Sequence, residues 1–200
     1  MIALIDYGIG NLRSVQKALE HVGADVMVTD EPTVIRDAEK VVLPGVGAFG
    51  DGMRGLHERG LVPVVCEVAE RGTPLLGICV GMQVLFETGE ERGTHRGLGL
   101  LPGRVTAFVA PGLKVPQTGW NQIEPTADSA LLRGVPPGSY AYFNHGYYCA
   151  AQPADTLAVT DYGGRYASVV SRGRLYGIQF HPEKSQQVGL QLLRNFVELG

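Results

Sequence analysis

Pro74-Leu75-Leu76-Gly77-Ile78-Cys79-Val80-Gly81-Met82-Gln83 is the stretch around which the rest of the chain is organised. An apolar run ends in Gly-x-Cys-x-Gly and a helical pattern follows, the layout of a nucleophile elbow with cysteine in place of serine. A strand runs into a sharp turn, the apex residue carries the nucleophile, and a helix leaves at once. Gly77 and Gly81 keep the arms of the turn from crowding each other. The apex is expected to hold a strained backbone, tolerable where function requires it. The helix N-terminus contributes about half a positive charge, which favours a thiolate, and its free N–H groups can bind an oxyanion. A buried core cysteine fits the same ten residues, since free cysteines are mostly buried. The decision therefore falls to the rest of the chain.

Upstream, Ile2 to Ile5 reads as a buried strand. A loop, Asp6 to Gly10, leads to Asn11 as a helix cap. Leu12, Val15, Ala18, Leu19 and Val22 then share one helical face, and Gly23 ends the helix. Asp25–Thr29 and Lys40–Leu43 are two further strands, with a short helix possible between them. The third strand ends in Pro44-Gly45-Val46-Gly47, a loop whose backbone N–H groups can turn toward a ligand. In a doubly wound sheet, loops after neighbouring strands face one crevice, so this loop and the Cys79 elbow can line the same site. Leu61–Arg71 is a helix with Pro63 in its first turn, and Pro74–Ile78 is the fourth strand. The alternation predicts parallel strands with right-handed crossovers.

After a helix over Val80–Phe86, Glu87–Gly99 reads as a polar surface loop. Strand candidates then crowd together: Arg104–Phe108, Val115–Trp120, Tyr140–His145, Thr156–Thr160, Tyr166–Ser171 and Leu175–Gln179. Their spacing is in most cases too tight for helical crossovers. The expected fold is α/β, a mostly parallel central sheet flanked by helices, with an antiparallel or mixed extension in the second half. No linker or composition break divides the chain, so residues 1–200 are expected to form one domain. A final helix carries Val188, Leu192, Phe196 and Leu199, with Ser185 as its cap.

The last strand runs into His181-Pro182-Glu183. A residue before proline is pushed toward extended geometry, where side chains two apart point the same way. Glu183 then reaches one imidazole nitrogen while His181 offers the other to Cys79. The carboxylate fixes the tautomer and stabilises the imidazolium. His181 takes the thiol proton and later returns one to a leaving amine. Such a set attacks an acyl carbon. Its oxyanion needs preorganised donors: the N–H of Val80 and one from the Gly45-Val46 segment. The residues by themselves stop at a cysteine acyl-transfer enzyme of open substrate.

Composition narrows the alternatives. Two hundred residues with 44% hydrophobic content bury a core without staples. A net charge of −3 and no basic run give no reason to expect nucleic-acid binding. Cys66, Cys79 and Cys149 match neither a disulfide framework nor a metal spacing, so a reducing, cytoplasmic setting and no metal are expected. There is no signal-peptide pattern and no 18-residue apolar run for a membrane span.

Gly77–Gln83, Pro44–Gly47 and His181–Glu183 resemble the class I glutamine amidotransferases, a flavodoxin-like family. More narrowly, four further segments resemble the glutaminase subunits of imidazole glycerol phosphate synthases. These are Ile5–Leu12, Gly119-Trp120-Asn121, Tyr142–Tyr147 and His181–Ser185, spread over the full chain. The resemblance implies hydrolysis of L-glutamine to glutamate and ammonia with no cofactor. Cys79 would form a glutamyl thioester, with His181 as base then acid and Glu183 orienting it. Gly45, Gly47, Gln83, His145, Gly146 and Tyr147 would hold glutamine. Ammonia would pass to a (β/α)₈ cyclase in a heterodimer of histidine biosynthesis, faced by Asn11, Trp120, Tyr142 and Lys184. Two segments depart from the family pattern. Asn144-His145-Gly146-Tyr147 stands where Val-His-Ser-Tyr is usual, which removes a serine hydroxyl, and Val80 replaces a leucine. Rival readings are a glutaminase for pyridoxal phosphate or anthranilate synthesis, a stand-alone γ-glutamyl hydrolase, and a non-enzymatic binding subunit.

Overall fold

The structure, a computed structural model, describes residues 1–199. Its first half alternates strand and helix: β1 (Ile2–Ile5), α1 (Leu12–His21), β2 (Val26–Thr29), α2 (Pro32–Asp37), β3 (Lys40–Leu43), α3 (Phe49–Glu58), α4 (Val62–Glu70), β4 (Leu75–Ile78) and α5 (Val80–Gln83). The second half is mostly strand: β5 (Phe86–Gly89), β6 (His95–Arg96), β7 (Leu101–Ala107), β8 (Gln117–Pro125), β9 (Ser139–His145), β10 (Tyr147–Ala151), β11 (Thr156–Asp161), β12 (Arg165–Arg172) and β13 (Leu175–Ile178). Helix α6 (Gln186–Glu198) follows.

Nine strands form one sheet in the order β2-β1-β3-β4-β13-β12-β11-β8-β9. From β2 to β13 neighbours run parallel; from β13 onward they pair antiparallel. Every residue of β1 and β4 is buried, as expected when both faces of a parallel sheet are covered. The second half extends the sheet in antiparallel fashion, as the tight spacing predicts. It also builds a separate four-stranded sheet, β10-β7-β5-β6, which the spacing does not reveal.

Local expectations fail where glycine or tertiary pairing decides. The helix after the elbow ends at Gln83 rather than Phe86, and the expected 87–99 loop contains strand residues from β5 and β6. Phe86 instead pairs with Leu101, since its wholly buried ring is held by the small sheet. Helix α3 has no counterpart in the sequence reading because three glycines interrupt its pattern. Gly55 among them lies against the backbone of Tyr7, where a Cβ has no room. Strand β10 is separated from β9 by Gly146 alone. Asn11 and Ser185 occupy the cap positions of α1 and α6, but neither makes a side-chain cap hydrogen bond. The Asn11 carbonyl accepts from Ser14 and Val15 N–H instead.

The elbow glycines are needed sterically. A Cβ on Gly77 would lie 2.6 Å from the Gly81 carbonyl oxygen. A Cβ on Gly81 would overlap the Leu43 carbonyl oxygen at the end of β3. Both obstacles are backbone atoms, so no side-chain rotation relieves them. Gly81→Ala is therefore expected to lower stability by about 2–3 kcal/mol, the usual cost of overpacking. Urea unfolding measures this; an unchanged midpoint means the two backbones do not meet this closely.

Candidate active site

Strands β4 and β13 are parallel partners with Ile78 opposite Ile178. Cys79 and Gln179 therefore leave the sheet side by side, and the Cys79 N–H donates to the Ile178 carbonyl at 2.8 Å. Cys79 has φ 54° and ψ −113°, a conformation costly for any residue but glycine. The expected apex strain is present. Val80 opens α5, where N–H groups lack partners within the helix.

His181 follows β13 and is clamped through its backbone. Its N–H donates to the Tyr142 carbonyl at 2.9 Å. Its carbonyl accepts the Ser185 hydroxyl at 2.7 Å, and the Ser185 oxygen accepts the Tyr142 N–H at 2.9 Å. The hydroxyl expected to cap α6 thus anchors His181. His181 itself is extended, as a residue before proline should be. The extended run expected through Glu183 is not found: Pro182–Lys184 is a 3₁₀ turn, which the fixed φ of proline opens readily. The turn still brings His181 Nδ1 and Glu183 Oε1 to 3.1 Å, with the carboxylate side chain almost wholly buried. Burial alone would depress the imidazole pKa. Hydrogen bonds to Cys79 and Glu183, with the charge of both groups, outweigh it and raise the pKa to about 10.

Cys79, Val80 and His181 line a cavity of about 80 Å³ together with Val46, Gly47, Gln83, Glu91 and the Asn144–Tyr147 segment. Of the residues expected at the site, Gly45 and Glu183 are not on this lining; Glu183 stands behind His181, on its Nδ1 side. Gly45 lies next to the lining residue Val46. It has a packing reason to be glycine: a Cβ would sit 2.6 Å from the Gly81 nitrogen and 2.8 Å from the Tyr7 hydroxyl. Val46, 39% exposed, lies at the rim. Gln83 commits both amide hydrogens to protein, one to the Tyr147 carbonyl and one to Gln179 Oε1, each at 3.2 Å. Only its oxygen is left for a ligand.

His145 Nδ1 is 2.7 Å from the Tyr147 carbonyl. A carbonyl only accepts, so Nδ1 carries the proton, and Nε2 faces the Tyr166 hydroxyl at 3.3 Å. Burial, helped by the nearby positive His181, lowers the His145 pKa to about 4. Sequence reasoning missed three neighbours. Glu91 and Asn144 line the cavity, and Gln179, wholly buried, has its Nε2 3.8 Å from Cys79 Sγ. Gln179 could have been found from its place two residues before His181; Glu91 lies in a loop with no pattern.

Three of the four expected interface residues, Trp120, Tyr142 and Lys184, lie together. Trp120 and Tyr142 are cross-strand partners, their rings edge-to-face at 6.0 Å. Lys184 Nζ lies 5.6 Å from the Tyr142 ring centroid. Trp120 is 48% exposed. Asn11 begins α1, which packs on the Pro182–Lys184 turn. Cys66, Cys79 and Cys149 are all free, and no described helix is long and apolar enough to cross a membrane.

The depressed pKa of His145 has a stability consequence. Between about pH 6.5 and pH 4 the unfolded chain binds a proton at this residue and the folded chain does not. Stability therefore falls as pH falls through that window. His145→Gln should remove about 2 kcal/mol of the loss between pH 7 and pH 4.5. Urea titrations at both pH values check this; equal losses in the two proteins would clear His145 of the effect.

Residues 3–199 match the family described as glutamine amidotransferase class-I. The chain is 53% identical over 199 residues to the imidazole glycerol phosphate synthase subunit HisH of Moorella thermoacetica, covering 99% of this chain and 94% of that one. It is 50% identical to the HisH subunit of Methanosarcina mazei, covering 99% and 98%. Among solved structures it resembles a glutamine amidotransferase with TM-score 0.77 at 19% identity, covering 99% and 98%. It also resembles PurLQS from Thermotoga maritima with TM-score 0.74 at 20% identity, covering 98% and 96%. The structural likenesses carry the fold, and the sequence likenesses carry the subfamily. The chain belongs to the class I glutamine amidotransferases and, within them, to the HisH subunits of imidazole glycerol phosphate synthase.

Proposed function

We propose that this chain hydrolyses L-glutamine to glutamate and ammonia and delivers the ammonia to a (β/α)₈ cyclase subunit, with which it forms a heterodimer in the cytoplasm. There the ammonia serves the formation of imidazole glycerol phosphate in histidine biosynthesis. Residues 1–200 act as one amidotransferase domain. The observation that carries the reading is that Cys79 and His181 line one small cavity with Glu183 on the far nitrogen of His181, in a chain about half identical along its length to HisH subunits.

The chemistry follows from the geometry. His181 takes the Cys79 proton, and the resulting ion pair is favoured by Glu183 on the far nitrogen. The thiolate attacks the carboxamide carbon of glutamine. Negative charge develops on the carboxamide oxygen, where the Val80 N–H at the start of α5 serves as donor. A second donor comes from the Gly45–Val46–Gly47 loop. Gly47 has φ 96°, a region that only glycine enters freely, so the adjoining peptide can turn its N–H inward. His181 then protonates the leaving nitrogen, ammonia departs, and water activated by the same imidazole hydrolyses the thioester. His145, Gly146 and Tyr147 hold glutamine mainly through backbone, which fits the absence of a serine hydroxyl at Gly146.

Asn11, Trp120, Tyr142 and Lys184 form the docking face for the cyclase. Tyr142 contacts His181 through two backbone links, one direct and one through Ser185, so docking and catalysis share a strand. The chain alone is expected to hydrolyse glutamine slowly and the complex faster. Cys79→Ala should reduce glutaminase activity of the complex by at least about 10⁴-fold while the subunits still bind. Retained activity would remove Cys79 as nucleophile, and equal rates with and without cyclase would favour a stand-alone hydrolase. Trp120→Ala should weaken cyclase binding by about 2 kcal/mol, as for a buried aromatic anchor. Calorimetric titration reads this, and an unchanged affinity would place the interface elsewhere.

A further inference from the structure

Behind the nucleophile lies a chain of amides whose direction is fixed at one end. The Tyr147 carbonyl can only accept, so the Gln83 group facing it at 3.2 Å is the Nε2 end. The second Gln83 hydrogen is then aimed at Gln179, which must present its oxygen, also at 3.2 Å. With Oε1 committed to Gln83, Gln179 turns its Nε2 toward Cys79 Sγ, 3.8 Å away. Sulfur's radius makes that a hydrogen-bond distance. The usual ambiguity of amide orientation is therefore removed by one backbone carbonyl three groups away.

We propose that Gln179 is a fixed hydrogen-bond donor to the Cys79 sulfur and stabilises the attacking thiolate through a relay anchored on the Tyr147 carbonyl. This deepens the reading above, since it rests on Cys79 being the nucleophile. Gln179 has no solvent exposure, and Gln83 and Cys79 are nearly as buried, so water does not compete for these hydrogens. The backbone holds Gln179 in place as well: its N–H donates to the Ser168 carbonyl at 2.9 Å. A donor aimed at an anion is worth more than one aimed at a neutral group. The donor thus favours the state in which the proton has moved to His181. The other titratable groups that act on the sulfur are Tyr7, Cys149 and Tyr166. Burial raises all three well above their ordinary values, so they remain neutral and do not supply this stabilisation. The relay also gives the cavity wall a grip on the nucleophile. Tyr147 belongs to the lining segment, and a shift of its carbonyl would release Gln83 and with it the orientation of Gln179.

The test is the pH dependence of Cys79 alkylation by iodoacetamide in the full-length chain, with and without the cyclase, followed by mass spectrometry. Gln179→Met keeps the side-chain length and removes the donor. The pH of half-maximal alkylation should rise by about one unit, the lower end for a hydrogen bond to a charged group, with the high-pH plateau retained. In the complex, kcat should fall at neutral pH with little change in KM. Gln179→Glu keeps an acceptor for Gln83 but offers the sulfur no amide hydrogen; it should raise the half-point by at least as much. Protection of the buried Cys149 monitors folding in both variants, and if one unfolds the other decides. Half-points unchanged in a folded variant would overturn the donor role, as would a loss of kcat without any shift. Glutamine hydrolysis by Cys79→Ala would sink the nucleophile assignment instead, and leaves the alkylation result to stand or fall alone.

Discussion

The backbone of Gly81 rests on the carbonyl of Leu43 with no space for a β-carbon between them, and everything at the site depends on that contact. It lets the first turn of α5 sit directly over the end of β3. Gly77 closes the inside of the same turn, and Gly177, opposite Gly77 on β13, leaves room for Met82. Three missing methyl groups thus allow a helix to start within one residue of a strand. The cost appears as left-handed backbone at Cys79. The surrounding contacts hold it there, because relaxing the apex would drive backbone into backbone.

Sheet order does the rest of the assembly. Residues about 100 positions apart in sequence become neighbours because β13 lies beside β4. The same register that places Gln179 next to Cys79 carries the chain on to His181. Two histidines then sit close together in opposite charge states. His181 faces the Cys79 sulfur and a carboxylate, whose negative charges favour its protonated form, whereas His145 is buried among rings and its proton is pushed off. Environments that drive neighbouring pKa values apart are what divides acid from base in an active site.

Much of this was legible in the chain. The glycines bracketing Cys79, the apolar runs of β1, β3 and β4, and His181-Pro182-Glu183 carry their meaning locally, because turn sterics and strand burial act over a few residues. Antiparallel extension was legible from spacing alone. The small sheet was not: Arg104–Phe108 was legible as part of β7, but β5 and β6 are short and, like β10, become strands only by pairing with it or with each other. Helix α3 was masked by glycines chosen for close packing. Asn11 and Ser185 looked like side-chain caps, yet Ser185 serves the backbone of His181, a partner that only the tertiary fold supplies. Gln179 shows the same limit: nothing local says which way a buried amide turns.

The position of β13 has a consequence for how the protein is made. It is the last strand among the described residues, yet it lies inside the sheet, between the parallel strands and the antiparallel ones. While the ribosome is still short of Leu175, the two flanks exist without the seam that joins them, and the imidazole has not been synthesised. With the proposed triad, a polypeptide that stops before His181 is expected not to hydrolyse glutamine. The strand that joins the two flanks of the sheet thus leaves the ribosome after every other described strand.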